Sequence, residues 1–117
     1  MMPLRFLIAV LLMTSVFSAS ANEYMSNASI LRIRIHEQYA HVGFDPAPAK
    51  TCSEWGEQMV FNYKTEEGKA FLSTLLAAKV AGKPVQAWYT ASTAIGKDQF
   101  TGCHLGTLSV LKGVAIP

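Results

Sequence analysis

The chain is poor in cysteine and charge, and no catalytic motif can be recognised in it. Cysteine occurs twice in 117 residues. Two thiols cannot build a disulfide-dense miniprotein or a four-cysteine zinc site. Asp, Glu, Lys and Arg together make up 15% of the chain, and the formal net charge is +2. That excess is too small to predict nucleic acid or an acidic membrane surface as a partner. The patterns G-x-S-x-G, H-E-x-x-H, the P-loop and the dinucleotide fingerprint do not occur. Cys103 and His104 are neighbours in sequence, whereas the base of a thiol nucleophile must approach it in space. His36, His41 and His104 are too scattered for a complete zinc site. The expectation is therefore a protein that is not an enzyme and holds no cofactor or metal. Hydrophobic residues make up 50% of the chain, which argues against disorder and for one folded domain.

The one long apolar run is Phe6 to Phe17, preceded by Arg5 and followed by Ser18-Ala19-Ser20-Ala21. A bilayer-spanning helix takes roughly 20 apolar residues, so this run is short for an anchor. It has the length of a signal-peptide core, with Ala19 and Ala21 at the small positions before the cut. Residues 1–21 are read as a signal peptide and 22–117 as a single domain, exported to the periplasm or secreted. No membrane span is expected in the mature chain.

Export bears on Cys52 and Cys103. In an oxidising compartment an intramolecular disulfide is the default for a lone pair. Two free thiols or an intermolecular bridge are the alternatives.

Along the mature chain, residues 22–28 read as a polar lead-in. Ile30 to His36 alternates, with Leu31, Ile33 and Ile35 on one face and Arg32, Arg34 and His36 on the other. That period of two is a half-buried strand. Glu37-Gln38 reads as a turn, and Tyr39 to Phe44 alternates again, giving a hairpin. Pro46 and Pro48 end the second strand. Met59 to Tyr63 is a third strand. Thr65 to Ala81 reads as a helix with Thr65 as N-cap, Glu66 and Glu67 in the first turn, and Gly82 and Pro84 beyond its end. Its apolar stripe is Phe71, Leu72, Leu75, Leu76 and Val80. Val85 to Thr90 is a fourth strand. Residues 91–102 read as a long loop, and Leu105 to Ile116 as a last strand bent at Gly106 or Gly113. The order β-β-β-α-β-β is that of a mainly β, OB-fold-like five-stranded barrel with one helix and one disulfide. An open sheet with the helix on one face is the alternative.

The stretch Gly68 to Val85, GKAFLSTLLAAKVAGKPV, resembles the helix and following strand of small exported bacterial OB-type proteins. Among them are B subunits of AB5 toxins of the subtilase-cytotoxin and pertussis-like kind. Cys52 before Trp55, the aromatic third strand and Cys103 extend the resemblance over roughly residues 29 to 112. It implies a non-catalytic binding module that recognises a glycan or cell-surface partner, and possible assembly into a homo-pentamer. Those B subunits contact sialylated sugar through a serine opening the first strand and a tyrosine late in the strand after the helix. Ser29 and Tyr89 resemble these two and are the candidate binding residues. The alternative is a periplasmic accessory or inhibitor protein that binds another protein.

On the residues alone, Trp88 and Tyr89 point to opposite faces of a regular strand, so only one belongs to a given exposed patch. Trp55 either packs on the disulfide and barrel wall or, if exposed, marks an interaction site. Arg32, Arg34 and His36 form a basic strip, read as a solvated or edge-protecting face or as a subunit interface.

Overall fold

A computed structural model describes residues 22–117. The signal-peptide reading of residues 1–21 lies outside the described residues. Five strands and one helix follow in the order β1 Glu23–His36, β2 Tyr39–Asp45, β3 Met59–Asn62, α1 Glu66–Ala81, β4 Val85–Tyr89 and β5 Ser109–Ala115. The strands close into a barrel in the order β1-β2-β3-β5-β4. Every pairing is antiparallel except β3 with β5, which is parallel. This is the mainly β barrel with one helix that the element order predicts.

β1 closes the barrel by serving two partners. Its first part pairs with β4, from Glu23 opposite Tyr89 to Ala28 opposite Val85. Its second part pairs with β2, from Ser29 opposite Asp45 to His36 opposite Tyr39. Register shifts fall between Met25 and Ala28 and between Ile30 and Arg32. Such irregularities bend a strand and increase its twist, which lets one strand run round a small barrel. Two expectations change here. Residues 23–28 are strand rather than a loose lead-in, because Met25 and Ala28 point inward and are buried. Leu31 and Ile35 do not form a buried face with Ile33; both are exposed, while Ile33 packs on the core. The shift at Leu31 breaks the alternation that the sequence pattern presents as continuous.

The helix has the expected ends. The Thr65 hydroxyl accepts from the Gly68 amide at 2.9 Å, and Gly82 turns left-handed at φ 67. Its buried seam is narrower than the apolar stripe suggests. Gly68, Leu75 and Ala78 are buried, Phe71 and Leu72 are half-buried, Leu76 is exposed and Val80 is 89% exposed. A Cβ at Gly68 would collide with the Asn62 carbonyl, so glycine lets the helix begin flush against the end of β3. The helix therefore meets the barrel along Gly68, Phe71, Leu75 and Ala78, and Leu76 and Val80 fall on its outer side.

The last strand starts at Ser109; Leu105–Thr107 is instead a single 3-10 turn. The expected irregularity at Gly113 is present, since Trp88 faces Gly113 while Tyr89 faces Leu111. The main core gathers inward residues of all five strands with Leu75 and Ala78 of the helix. A second cluster, Cys52, Val60, Cys103 and Leu108, sits under the long loops. Cys52 and Cys103 are joined in a disulfide across 51 residues. In the chain-entropy account a loop of that size contributes roughly 4 kcal/mol.

Candidate functional site

Residues 53–58 form a short hairpin laid over the outer face of β1 and β2. Glu54 and Glu57 exchange both backbone hydrogen bonds, each 2.9 Å. The two residues between them, Trp55 and Gly56, have φ of 52 and 79. Two successive positive φ values are the signature of a type I′ turn, which favours Asn-Gly. A left-handed backbone at a non-glycine residue costs roughly 1–2 kcal/mol. A tryptophan held there is a strained position that its surroundings must enforce.

Several contacts enforce it. Cys52 is tied to Cys103, and Ser53 bridges Asp98. The Gln58 amide nitrogen donates to Ser53 Oγ at 3.0 Å and to the Gly56 carbonyl at 3.3 Å. Its oxygen accepts from the Phe44 amide at 2.8 Å. Gly43 of β2 lies directly beneath, where a Cβ would strike the Gly56 carbonyl.

The turn carries a fully buried carboxylate onto the basic strip. Glu57 accepts from Arg34 Nε at 2.9 and 3.0 Å and from Arg34 Nη2 at 2.8 Å. Arg32 Nε lies 2.9 Å from the other carboxylate oxygen. A carboxylate this deep is tolerable only with such paired, charge-assisted bonds. The strip is thus neither simply solvated nor simply an edge. The β1–β2 register puts Arg34 opposite His41 and Arg32 opposite Gly43, so Glu57 descends onto a prepared pair of cations. The hydrogen bonds with Glu57 hold the Arg34 guanidinium further in its charged form, against the opposing effect of burial.

Above this pair stands Trp55, 59% exposed, with the Arg34 guanidinium carbon 5.4 Å from its ring centre. This is cation–π distance. Packing of Trp55 on the disulfide is not what the fold provides. Trp55, Arg34, His36, His41, Glu54 and Leu105 line a cleft of about 290 Å³. Two buried polar atoms of its lining have no partner, His41 Nδ1 and Glu54 Oε2. His41 is 4% exposed and its Nδ1 is 3.7 Å from Glu57 Oε1, too far for a hydrogen bond. Burial, and then the Arg34 charge, pushes the His41 imidazole below its ordinary value, against the pull of Glu57. His41 is therefore neutral at pH 7.

The structure does not bring Ser29 and Tyr89 together. They lie near opposite ends of the β1–β4 ladder, with Ala28 beside Val85 and Glu23 beside Tyr89. Four residues of strand separate the two ends, roughly 13 Å. Tyr89 is 1% exposed and donates its hydroxyl to the Ala49 carbonyl at 2.7 Å. Burial, with Glu23 nearby, pushes that hydroxyl up. Tyr89 presents no ring to solvent. Ser29 is exposed in a separate groove with Lys79 and Lys83. The outward residue of the pair is Trp88, which meets Tyr24 across the strands with ring centres 5.2 Å apart.

Glu57 has no signal in sequence beyond its place three residues after Glu54, flanking Trp-Gly. Among the described residues no three His, Cys, Asp or Glu side chains gather as metal ligands. No protein-family model, curated protein or solved structure matches the chain.

Proposed function

We propose that the protein is an exported, non-catalytic binding module that recognises a glycan in the cleft beneath Trp55. Trp55 carries this proposal. An indole held at left-handed φ, open to solvent and backed by Arg34 over buried Glu57, is a rigid platform. Sugars offer C–H faces to such a platform and hydroxyls to polar groups around it, and the cleft supplies both kinds of surface. The Cys52–Cys103 disulfide supports an oxidising compartment. No helix among the described residues is long and apolar enough to cross a membrane. The resemblance of Gly68 to Val85 to toxin B subunits supports the same class, with the contact residues moved from Ser29 and Tyr89 to the Trp55 cleft.

The test is a glycan array probed with the purified protein and its Trp55→Ala variant. Retention of specific glycans by the native protein, with at least about tenfold weaker retention by the variant at unchanged circular dichroism, is the expected result. Binding that survives Trp55→Ala removes the cleft as the site.

A second reading has one observation in its favour. Leu76 and Val80 are exposed on the outer side of the helix, beside a groove of about 340 Å³ lined by Tyr63, Lys64, Lys69, Leu72, Ser73 and Leu76. A protein partner would use that face, and Val80→Glu would abolish its binding while leaving glycan retention intact.

A further inference from the structure

We infer that the outer face of α1 docks a second copy of this chain, the two helices lying antiparallel across a twofold axis near Leu76; this rests on the second reading above and names its partner. A helix laid on a barrel ordinarily turns charged residues to the solvent. Between Lys69 and Lys79 this helix has none. Ser73, Leu76, Ala77 and Val80 are exposed there instead, and Val80 is the most exposed large hydrophobic residue among those described. Leu76 and Val80 stand one turn apart, and Leu76 borders the groove of about 340 Å³.

The face is complementary to itself. Lys69, Leu72, Ser73 and Leu76 of the groove stand at i, i+3, i+4 and i+7 along the helix. That is the spacing of a hole that receives one side chain of a facing helix. Val80 is the projecting side chain, one turn beyond the hole on the same helix. A surface with knob and hole side by side pairs with its own copy by a twofold rotation, each Val80 entering the other's groove. Val80 seated midway along the partner's hole brings the two Leu76 side chains together at the axis. It also sets Ser73 opposite the partner's Val80, small against large.

Charge fixes the direction. Glu66 and Glu67 are exposed in the first turn, and Lys79 and Lys83 are exposed at the end of the helix and just past it. Antiparallel helices bring the acidic start of one toward the basic end of the other, and each helix dipole favours this. A parallel pair would stack Lys83 on Lys83. The two lysines of the groove, Lys64 and Lys69, are exposed, so they line it with methylene stems while their charges stay in water. Lys69 also has Glu66 at 3.4 Å. A single helix pair is a small contact, of the weak and reversible class, so the dimer is expected to form at roughly 10–100 μM.

The experiment measures the mass of the native protein and of Val80→Glu by light scattering over roughly 5–500 μM, a range that brackets weak association. Oxidative trapping of Leu76→Cys and Ser73→Cys reads the geometry. The native protein is expected to pass from monomer to dimer, and Val80→Glu to stay monomeric with an unchanged melting curve. Leu76→Cys should give a covalent dimer and Ser73→Cys should not. The two copies of residue 76 meet at the axis, whereas those of residue 73 lie about seven residues apart along it, roughly 10 Å and beyond disulfide reach. Trapping at both positions means parallel helices and overturns the inference, as does a ring of more than two copies. A dimer that Val80→Glu leaves intact overturns it together with the reading of this face. A native protein that is monomeric at every concentration overturns it and leaves the face to an unlike protein, for which the Val80→Glu binding test above still decides.

Discussion

Two tryptophans stand open to solvent on this barrel, and they are held in different ways. Trp88 is 38% exposed on β4, beside the irregularity opposite Gly113; it covers Gly113 and packs tilted against Tyr24. A Cβ at Gly113 would lie 3.2 Å from its ring. Trp88 is therefore part of the wall, a cross-strand pair that stabilises the sheet. Trp55 has an unfavourable backbone, a buried ion cluster behind it and unpaired polar atoms beside it. Exposure alone does not separate the two. The cost of keeping each residue where it stands does, because a strained position supported from below is where a fold spends stability on something other than itself.

The sharpest break in the comparison is Glu57→Ala. It removes the buried anion shared by Arg32, whose side chain is half exposed, and Arg34, which is a quarter exposed. Both cations keep contact with water, so the cost falls below that of a fully buried pair, at about 1–3 kcal/mol for the lost charge-assisted bonds. Urea denaturation should show a loss of that order; an unchanged midpoint would mean that the Trp55 turn does not depend on the cluster.

The two tryptophans themselves should respond with opposite signs. Trp55→Asn installs Asn-Gly, the pair the turn prefers, and relieves the left-handed strain. Net of the lost contact with Arg34, the gain is up to about 1 kcal/mol. Trp88→Ala removes a cross-strand aromatic pair and costs about 1 kcal/mol. Thermal melts of both variants decide the matter, and the same sign in both would erase the distinction drawn here.

The smallest effect is a pH dependence. His41 faces Arg34, Glu57 and His36, and its imidazole lies below the ordinary value. The unfolded chain protonates this histidine near pH 6.5, whereas the folded protein resists until a lower pH. Between those points the unfolded state binds more protons, so stability falls as pH drops below about 6.5. Native protein and His41→Gln compared across that window should differ in slope, with the variant flatter.

The parts of the fold that could be read in the sequence are those fixed by local chemistry. Thr65 and Gly82 bound the helix, Glu37-Gln38 turns the first hairpin, and the lone cysteine pair has one partner each. Leu76 and Val80 have the spacing of a buried stripe, but a helix seated by Gly68 and Ala78 buries a narrower seam. Leu31 continues a perfect alternation, and only the barrel's need for a bend removes it from the core. The site was legible in pieces. Arg32, Arg34 and His36 are visible as a strip, and Trp55 as a candidate surface residue. What joins them is Glu57, which comes 23 residues after Arg34. No period or motif announces a contact of that range. Tyr89 shows the converse: its type and place suit a sugar contact, yet strand parity turns it inward.

The parallel contact between β3 and β5 has a consequence for how the protein comes into being. The strand that completes the cylinder is the last of the five in chain order. A polypeptide emerging from its amino end can form the β1–β2–β3 sheet and the helix early. Until residues 109–115 arrive, β3 and β4 both keep an open edge able to pair with another chain. The cylinder cannot be closed piecemeal: both open edges persist until β5 is in place between β3 and β4.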